Sequence, residues 1–253
     1  MIYNSIHKGT IKKYSCEMMF SASGGDITTF GNYIIHAFTS SFDNNGTGSF
    51  YVNKTAEIGV LIIGGGGGGS HNVDIGSSGG AGQYIYSSSL FIPEGNHEVL
   101  IGSGGNGGFG FNSNGQPGKA STFYNIIAIG GSGALYSGYG GNSGNGYLGG
   151  GPAGGEAGGG GAGATTNGGN APILRRGGDG GNGINMYPYF GSKYGTTHPS
   201  YPGYFAGAGK GHGKNADGGD GPGYGPDGTG AGARYGEKGS AGIILIRYLT
   251  RKL

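Results

Sequence analysis

Apolar and polar residues alternate along several short stretches of this chain, which is the pattern of half-buried β-strands. The first three predicted strands cover residues 33–38, 48–52 and 58–63. Residues 43–48 form a predicted turn between the first two, because Asn and Gly accept positive φ. Further strands are predicted at residues 83–86, 90–92, 97–101, 121–129 and 242–248. No window has helical periodicity bounded by caps, so the pattern predicts an all-β chain.

Glycine fills the long interval between two of these strands. Of the 69 glycines in the sequence, 62 lie between Gly64 and Gly242. This interval begins directly after the strand at 58–63 and ends directly before the strand at 242–248. A disordered linker has no reason to begin and end on paired apolar strands. We therefore expect a folded glycine scaffold that one β-module holds at both ends.

Two regular glycine-rich structures compete for this interval. Collagen requires a strict Gly-X-Y phase and abundant proline, whereas here the phase slips and the chain has nine prolines. A glycine helix of the polyproline II type has three residues per turn and no internal hydrogen bonds. Its buried N–H and C=O groups must pair with neighbouring helices. The expected structure is a small antiparallel β-sandwich with a large glycine-rich insertion of packed polyglycine II helices and loops.

The predicted organisation has four consecutive parts. They are an N-terminal arm or attachment segment (1–30), the first strands of the β-module (31–63), a glycine-rich polyglycine II region with strands embedded at about 83–101 and 120–129 (64–241), and a closing strand with its tail (242–253).

Composition argues against several classes of function. Charged residues make up 11% of the chain and the net charge is +2, so there is no basic stripe for nucleic-acid phosphates. The single cysteine, Cys16, excludes an internal disulfide and a multi-cysteine metal cluster. No run of 18 apolar residues predicts membrane insertion. The N-terminal sequence lacks the apolar core of a secretory signal, which favours synthesis in a cytoplasm.

Sequence motifs for catalysis and cofactors fail on their context. The glycines at 64–69 match a dinucleotide fingerprint on paper, but residues 70–76 have no helical character. The six histidines lack metal-ligand spacing, and we predict His36 to be a hydrogen-bonded core or edge residue and His212 to be solvated. Four aspartates in glycine-rich turns, Asp179, Asp217, Asp220 and Asp227, lack the calcium-binding repeat period, so solvated or backbone-capping roles are predicted. We expect no catalytic residue, no cofactor, no metal and no enzyme activity.

An aromatic segment interrupts the glycine-rich region. Residues 184–205 contain seven aromatic residues and three prolines. Amphipathic tyrosine rings suit a recognition surface, and they also suit stacking on sugars. The same rings equally suit covering the glycine layers or packing against a neighbouring subunit. The candidate receptor- or partner-binding residues are Tyr187, Tyr189, Phe190, Tyr194, His198, Tyr201, Tyr204 and Phe205. A second, weaker candidate is residues 135–139 with Tyr147 and Leu148.

Three landmarks in order resemble the glycine-rich domain of many phage tail-fibre and adhesin proteins. They are residues 20–41, which end in His36-Ala-Phe-Thr-Ser-Ser41, the run Val60-Leu-Ile-Ile63 before the first glycines, and the closing residues 239–248, which end in Ile-Leu-Ile-Arg-Tyr248. The resemblance covers about residues 20–249. It implies a small β-sandwich that bears a layered polyglycine II array, and in such adhesins loops at the far end of the array touch the receptor.

The function expected from these features is that of a non-enzymatic virion surface or structural protein. It would be a phage or virus tail-fibre or fibre-tip adhesin that presents aromatic loops to a host receptor. The alternative is a self-assembling structural subunit, a capsid decoration or extracellular filament, with no receptor. Expected partners are other fibre, tail or capsid proteins through residues 1–30, a host surface receptor or glycan, and further copies of the chain. The expected location is the virion surface, with an extracellular location as the alternative.

Overall fold

The computed structural model describes residues 19–40, 47–72, 75–173, 175–225 and 228–250. In chain order its elements are β1 (Ala22–Ser23), β2 (Asp26–Phe30), β3 (Tyr33–Thr39), β4 (Thr47–Val52), β5 (Ala56–Ile63), β6 (Tyr84–Ile92), β7 (Gly95–Leu100), β8 (Ser121–Phe123), β9 (Ile126–Ala128), β10 (Ile184–Asn185), α1 (Tyr187–Phe190), β11 (Tyr204–Phe205) and β12 (Ile243–Leu249). The prediction of an all-β chain is confirmed.

The strands form two antiparallel five-stranded sheets and one short pair. The first sheet has the order β1-β4-β7-β8-β9, and the second has the order β2-β3-β12-β5-β6. In the second sheet β12 lies between β3 and β5, with Leu245 opposite Ala37 on one side and Leu61 on the other. The strand that ends the glycine-rich region thus pairs with the strand that begins it, which closes the scaffold.

The two sheets pack face to face around one hydrophobic core. Phe50 and Phe123 of the first sheet meet Phe38, Val60 and Ile246 of the second sheet there. Strands of the first sheet alternate buried and exposed residues, as in Phe50, Tyr51 and Val52, because their other face is open to solvent. This pairing of two sheets is the predicted antiparallel sandwich.

The central strands of the second sheet are buried on both faces. Its strands β3, β5 and β12 turn Ile35, Leu61 and Leu245 away from the sandwich core and into a second cluster. The same cluster contains Phe190 and Phe205 from the aromatic segment. A third layer therefore covers the face of the second sheet that points away from the sandwich core. We call the second sheet the middle sheet, because it lies between the first sheet and this third layer. This burial explains the unbroken apolar runs within β5 and β12, since neither face of these strands meets water there.

The glycines that follow β5 form a fully buried helix, Gly64–Gly69, at the centre of a bundle. Its N–H groups donate to three neighbouring segments in turn, so that every third residue donates to the same segment. The first segment accepts from Gly64 and Gly67 through Gln83 and Gly80. The second accepts from Gly65 and Gly68 through Lys119 and Gln116, and the third accepts from Gly66 and Gly69 through Ser240 and Glu237. Its carbonyls accept from three other segments through Gly105 and Gly108, Gly131 and Ala134, and Ala233. A period of three residues and the absence of positive φ in these glycines identify the polyglycine II helix.

Residues 158–163 repeat this arrangement as a second buried centre. The N–H groups of Gly158 and Gly161 donate to His212 and Gly209, again three residues apart. Those of Gly160 and Gly163 donate to Gly169 and Thr166 in the same way. The buried backbone groups of both central helices are thus paired between segments instead of along a strand or α-helix, which satisfies the requirement for buried peptide groups.

Three local predictions need correction. The predicted strand at 121–129 is a hairpin, because Tyr124 adopts a φ of 54° and reverses the chain between β8 and β9. Residues 22–30 were predicted to belong to the arm, but they lie in the sheets as β1 and β2. β2 is an edge strand without an apolar face, so the alternation of residues did not reveal it. A single helical turn, α1, lies in a segment with no helical period. Residues 1–18 of the arm, 251–253 of the tail and 43–46 of the predicted turn lie outside the described residues.

His36 is a hydrogen-bonded core residue, as predicted. Its Nδ1 lies 2.6 Å from the Gly24 carbonyl oxygen, and its Nε2 lies 3.1 Å from the Tyr248 hydroxyl. A carbonyl oxygen only accepts, so Nδ1 carries the proton and Nε2 accepts from Tyr248. Burial lowers the pKa of His36, and the hydrogen bond to Gly24 opposes this shift in part.

This burial predicts that acid weakens the fold through His36. The unfolded chain binds a proton near the ordinary histidine pKa of about 6.5, while the folded chain binds it at lower pH. The unfolding free energy should therefore fall as the pH drops below about 6.5, and it should level off below the folded pKa. Urea unfolding between pH 7.5 and 5 tests this, with His36→Gln as the variant that should lose this part of the pH dependence. An unchanged slope in that variant would contradict the assignment.

Candidate functional site

The aromatic segment, residues 184–205, is a closed loop on the outer face of the middle sheet. Its ends pair as β10 and β11, with Ile184 opposite Phe205. Within the loop, the N–H of Met186 donates to the carbonyl of Gly203, and the N–H of Thr196 donates to that of Tyr204. Met186, Phe190 and Phe205 are buried against the sheet. The segment thus supplies the third layer of the fold.

The predicted site residues divide into three groups by exposure. Phe190 and Phe205 are buried and belong to the core. Tyr194 and Tyr204 are half-buried, and burial followed by the charge of Asp26 raises the pKa of Tyr194. The exposed group is Tyr187, Tyr189, His198 and Tyr201. The three exposed tyrosines keep 43%, 38% and 39% of their surface open, which leaves their rings accessible to a partner.

A buried arginine, Arg247 of β12, holds this segment in place. Its guanidinium donates to the carbonyl oxygen of Tyr189 at 2.9 Å and to the hydroxyl of Tyr86 at 2.8 Å. It also lies 4.4 Å from the ring centroid of Tyr33 and 5.0 Å from that of Tyr189. Gly59 lies opposite Arg247 on β5, and because glycine has no side chain it leaves room for the arginine side chain up to Nε. No local pattern in the sequence indicates this role, since the aromatic residues around Arg247 come from distant parts of the chain.

Beside the segment, the loop at 196–201 and the chain at 220–224 enclose a cleft of about 340 Å³. His198 and Tyr201 form one wall, and their rings are stacked 5.5 Å apart. Asp220 and Arg234 form the other wall, joined by an ion pair of 2.6 Å. We call this space the 201/234 cleft. It combines an accessible aromatic face with charged groups, whereas the other exposed rings of the segment, Tyr187 and Tyr189, lie outside it.

His212 is half-buried, which corrects the prediction that it is solvated. Its Nδ1 lies 2.7 Å from a carboxylate oxygen of Asp217, and its ring stacks on Tyr235 at 4.3 Å. Lys210 also pairs with Asp217 at 3.3 Å. These hydrogen bonds and charges lower the pKa of Asp217 against the opposing effect of its burial, which is the largest single cause. Neighbouring glycines hid the contact in the sequence because they have no side chains to indicate packing.

Asp179 and Asp220 have the predicted backbone-capping role, whereas Asp217 is paired with the side chains of His212 and Lys210. A carboxylate oxygen of Asp179 accepts from the N–H of Gly219 at 2.6 Å, and one of Asp220 accepts from the N–H of Lys210 at 3.2 Å. Asp227 lies outside the described residues. In the part of the chain that is described, no group of three or more His, Cys, Asp or Glu side chains is arranged to hold a metal ion.

Comparison with known families gives the same picture of the chain. A family profile described as Glycine-rich domain matches residues 43–249. The chain belongs to this family. The match runs from before β4 to the last residue of β12, so it takes in the glycine array and the sandwich strands from β4 onward, but not β1, β2 and β3. A search of curated protein sequences found no match.

The far end of the glycine-rich domain carries two exposed phenylalanines. The central helix leaves β5 at Gly64 and reaches Gly69, whose carbonyl accepts from the N–H of Gly108. The turn that follows Gly108 therefore lies at the end of the array opposite the sandwich. Phe109 and Phe111 in this turn are 99% and 79% exposed. We call them the tip phenylalanines. The sequence pattern did not single them out, because two phenylalanines among glycines resemble a short apolar interruption of the array.

A second exposed surface lies along the side of the array, where the weaker sequence candidate was placed. Leu135, Tyr139 and Leu148 line an open cleft of about 520 Å³, and all three are exposed. Tyr147, also exposed, lies outside the lining. The structure therefore brings together both halves of that candidate, although they are separated in sequence. Across the described residues no helix is long and apolar enough to cross a membrane.

Proposed function

We propose that this glycine-rich domain protein is a non-enzymatic attachment protein of a virus particle, a tail-fibre or fibre-tip adhesin. It presents aromatic side chains from a rigid glycine scaffold to a receptor on the host surface. Its partners in the particle are other fibre, tail or capsid proteins, and its place is the virion surface. The observation that carries the proposal is the pair of tip phenylalanines, almost fully exposed at the end of the array farthest from the sandwich.

Large apolar side chains are costly to leave in water, so a contiguous exposed group indicates a contact surface. Phe109 and Phe111 lie two residues apart in a short turn, whose Ser113 hydroxyl donates to the Gly110 carbonyl at 2.9 Å. Ser113 itself bridges to His71 at the end of the central helix. The turn is thus tied to the array, and a tied turn loses little conformational entropy when it binds.

The alternative function, a self-assembling structural subunit, has an observation of its own. The open cleft lined by Leu135, Tyr139 and Leu148 is apolar enough to receive a neighbouring copy. In that case the exposed tip would have no receptor, and purified protein would assemble in buffer.

We expect the double variant Phe109→Ser/Phe111→Ser to fold normally and to lose cell binding. The measurement is flow cytometry of fluorescently labelled protein on a panel of whole bacterial and eukaryotic cells. Saturable binding to at least one cell type should weaken at least tenfold in the double variant. Thermal stability should not change, since exposed side chains contribute little to the fold.

Phe91→Ser provides the matched control for this experiment. Phe91 is 66% exposed on the sandwich strand β6, far from the tip. Equal loss of binding in this control, or binding to no cell type, would overturn the attachment function. Sedimentation of unmixed protein as long polymers, without any cell binding, would establish the structural alternative instead.

A further inference from the structure

The 201/234 cleft is built from three separate parts of the chain. The loop with Thr196, His198 and Tyr201 lies on one side, and the chain from Asp220 to Tyr224 and Arg234 lie on the other. Its volume of about 340 Å³ is at the small end of the range of ligand pockets. A space of this size suits a small ring-shaped group and not a folded protein surface.

One wall of the cleft is a fixed aromatic surface. The Tyr201 ring is stacked on His198, and it also meets the Tyr204 ring edge-to-face at 5.6 Å. The Tyr201 N–H donates to the His198 carbonyl at 2.9 Å, and the Ser200 N–H donates to His198 Nδ1 at 3.2 Å. Because Nδ1 accepts, the neutral imidazole carries its proton on Nε2, which remains a donor. The wall therefore offers exposed aromatic surface, since Tyr201 keeps 39% of its area open, beside the polar edge of His198.

The opposite wall holds charged groups in fixed positions. Arg234 donates from Nε and one terminal nitrogen to the two oxygens of Asp220, at 3.2 Å and 2.6 Å. A guanidinium has five N–H groups, so three remain for a ligand. The guanidinium also lies 4.8 Å from the Tyr224 ring centroid, and the Tyr224 hydroxyl donates to Glu237 at 2.9 Å. These contacts lock the donor set before any ligand arrives.

The local charge selects against an anionic ligand. Arg234 and Asp220 line the cleft with opposite charges, and they are already paired with each other. Glu237 adds a second carboxylate beside Tyr224. A phosphate or an acidic sugar would therefore meet, among the described lining residues, an arginine whose charge is already balanced by Asp220. A neutral ligand with several hydroxyl groups meets acceptors from Asp220 and donors from Arg234 at once.

We propose that the 201/234 cleft binds one neutral pyranose unit of a surface glycan. The apolar C–H face of the sugar stacks on Tyr201, as aromatic faces accept positively polarised C–H edges. Adjacent hydroxyls of the sugar bond to the free N–H groups of Arg234 and to Asp220, which is the arrangement that a fixed bidentate pair favours. This inference rests on the proposed attachment function and names the chemistry of a second contact, separate from the tip phenylalanines.

Saturation-transfer NMR with methyl glycosides of glucose, galactose, mannose and N-acetylglucosamine tests the proposal, with glucuronic and N-acetylneuraminic acids as anionic probes. We expect at least one neutral glycoside to bind at millimolar concentration, and amide shifts to change at Gly221 and Gly223. Tyr201→Ala should raise the dissociation constant at least tenfold, and Arg234→Gln should do the same. Tyr187→Ala is the matched control, since Tyr187 is equally exposed on the same segment but lies outside the cleft.

Three results would overturn the cleft: no binding of any neutral probe, binding of the anionic probes alone, or equal effects of Tyr201→Ala and Tyr187→Ala. The attachment function is judged separately by the tip variant. If cell binding depends on Phe109 and Phe111 but no glycoside binds, the sugar site is ruled out and the attachment function stands. Glycoside binding with no cell binding would keep the sugar site and remove the adhesin.

Discussion

Gly66→Ala and Gly160→Ala are each expected to destabilise the protein by about 3 kcal/mol or more, a large part of the roughly 5–15 kcal/mol that stabilises an ordinary domain. A Cβ on Gly66 would lie closer than 3.0 Å to the backbone of Ala231, and one on Gly160 would do the same to Asp179. These are backbone atoms of neighbouring helices, which cannot rotate away as a side chain would. The added methyl group must therefore separate helices whose hydrogen bonds depend on close approach.

Gly219→Ala is the matched control for both variants. Gly219 also lies in the array and has no positive φ, but its Cβ would meet only the Asp179 side chain, at 3.5 Å. Alanine at such a site removes freedom from the unfolded chain, so it should be neutral or stabilising by up to about 1 kcal/mol. Urea unfolding and calorimetry of the three variants give the comparison. Equal midpoints for Gly160→Ala and Gly219→Ala would contradict the packed polyglycine II array.

Arg247→Ala is expected to release the aromatic segment and to cost about 3 kcal/mol of stability. The change leaves a cavity between the middle sheet and the segment, and it removes a hydrogen-bond donor from the Tyr189 carbonyl and the Tyr86 hydroxyl. Hydrogen exchange should rise in residues 184–205 before the sandwich strands are affected, because the segment depends directly on this side chain. Arg247→Lys should recover little, since one ammonium group cannot reproduce the planar fork.

Arg176→Ala controls for the loss of a positive charge. The Arg176 side chain is 48% exposed and lies 3.7 Å from Asp179, a surface pair whose removal costs less than about 1 kcal/mol. Unchanged exchange of residues 184–205 in Arg247→Ala would show that apolar burial of Phe190 and Phe205 alone holds the segment.

The aromatic segment illustrates the limit of pattern reasoning. Seven aromatic residues in 184–205 predict either recognition or structural cover. The structure uses Phe190 and Phe205 as cover, while Tyr187 and Tyr201 remain exposed. Tyr189 is exposed and Phe190 is buried because successive residues of the helical turn α1 point in different directions around its axis. The number of aromatic residues in a segment does not tell which of them face the sheet and which face solvent.

The unbroken apolar runs carried information that local reasoning did not use. Val60 to Ile63 and Ile243 to Ile246 have no polar residue on either strand face, which indicates a sheet covered on both sides. The existence of a third layer was therefore predictable from the sequence. Its identity was not, because residues 184–205 are separated from β5 by more than 120 positions.

By itself the sequence determined the class of this protein. Alternation predicted the strands, and apolar runs at both ends of the glycines predicted the closure of the scaffold. The glycine excess predicted helices with three residues per turn. These features depend on residue type and spacing along the chain, which set local conformation. The tertiary structure alone decided which segments surround each central helix, which tyrosines stay exposed, and which distant groups form the 201/234 cleft. Such pairings are made between backbones of nearly identical glycine segments, so only the folded arrangement distinguishes one neighbour from another.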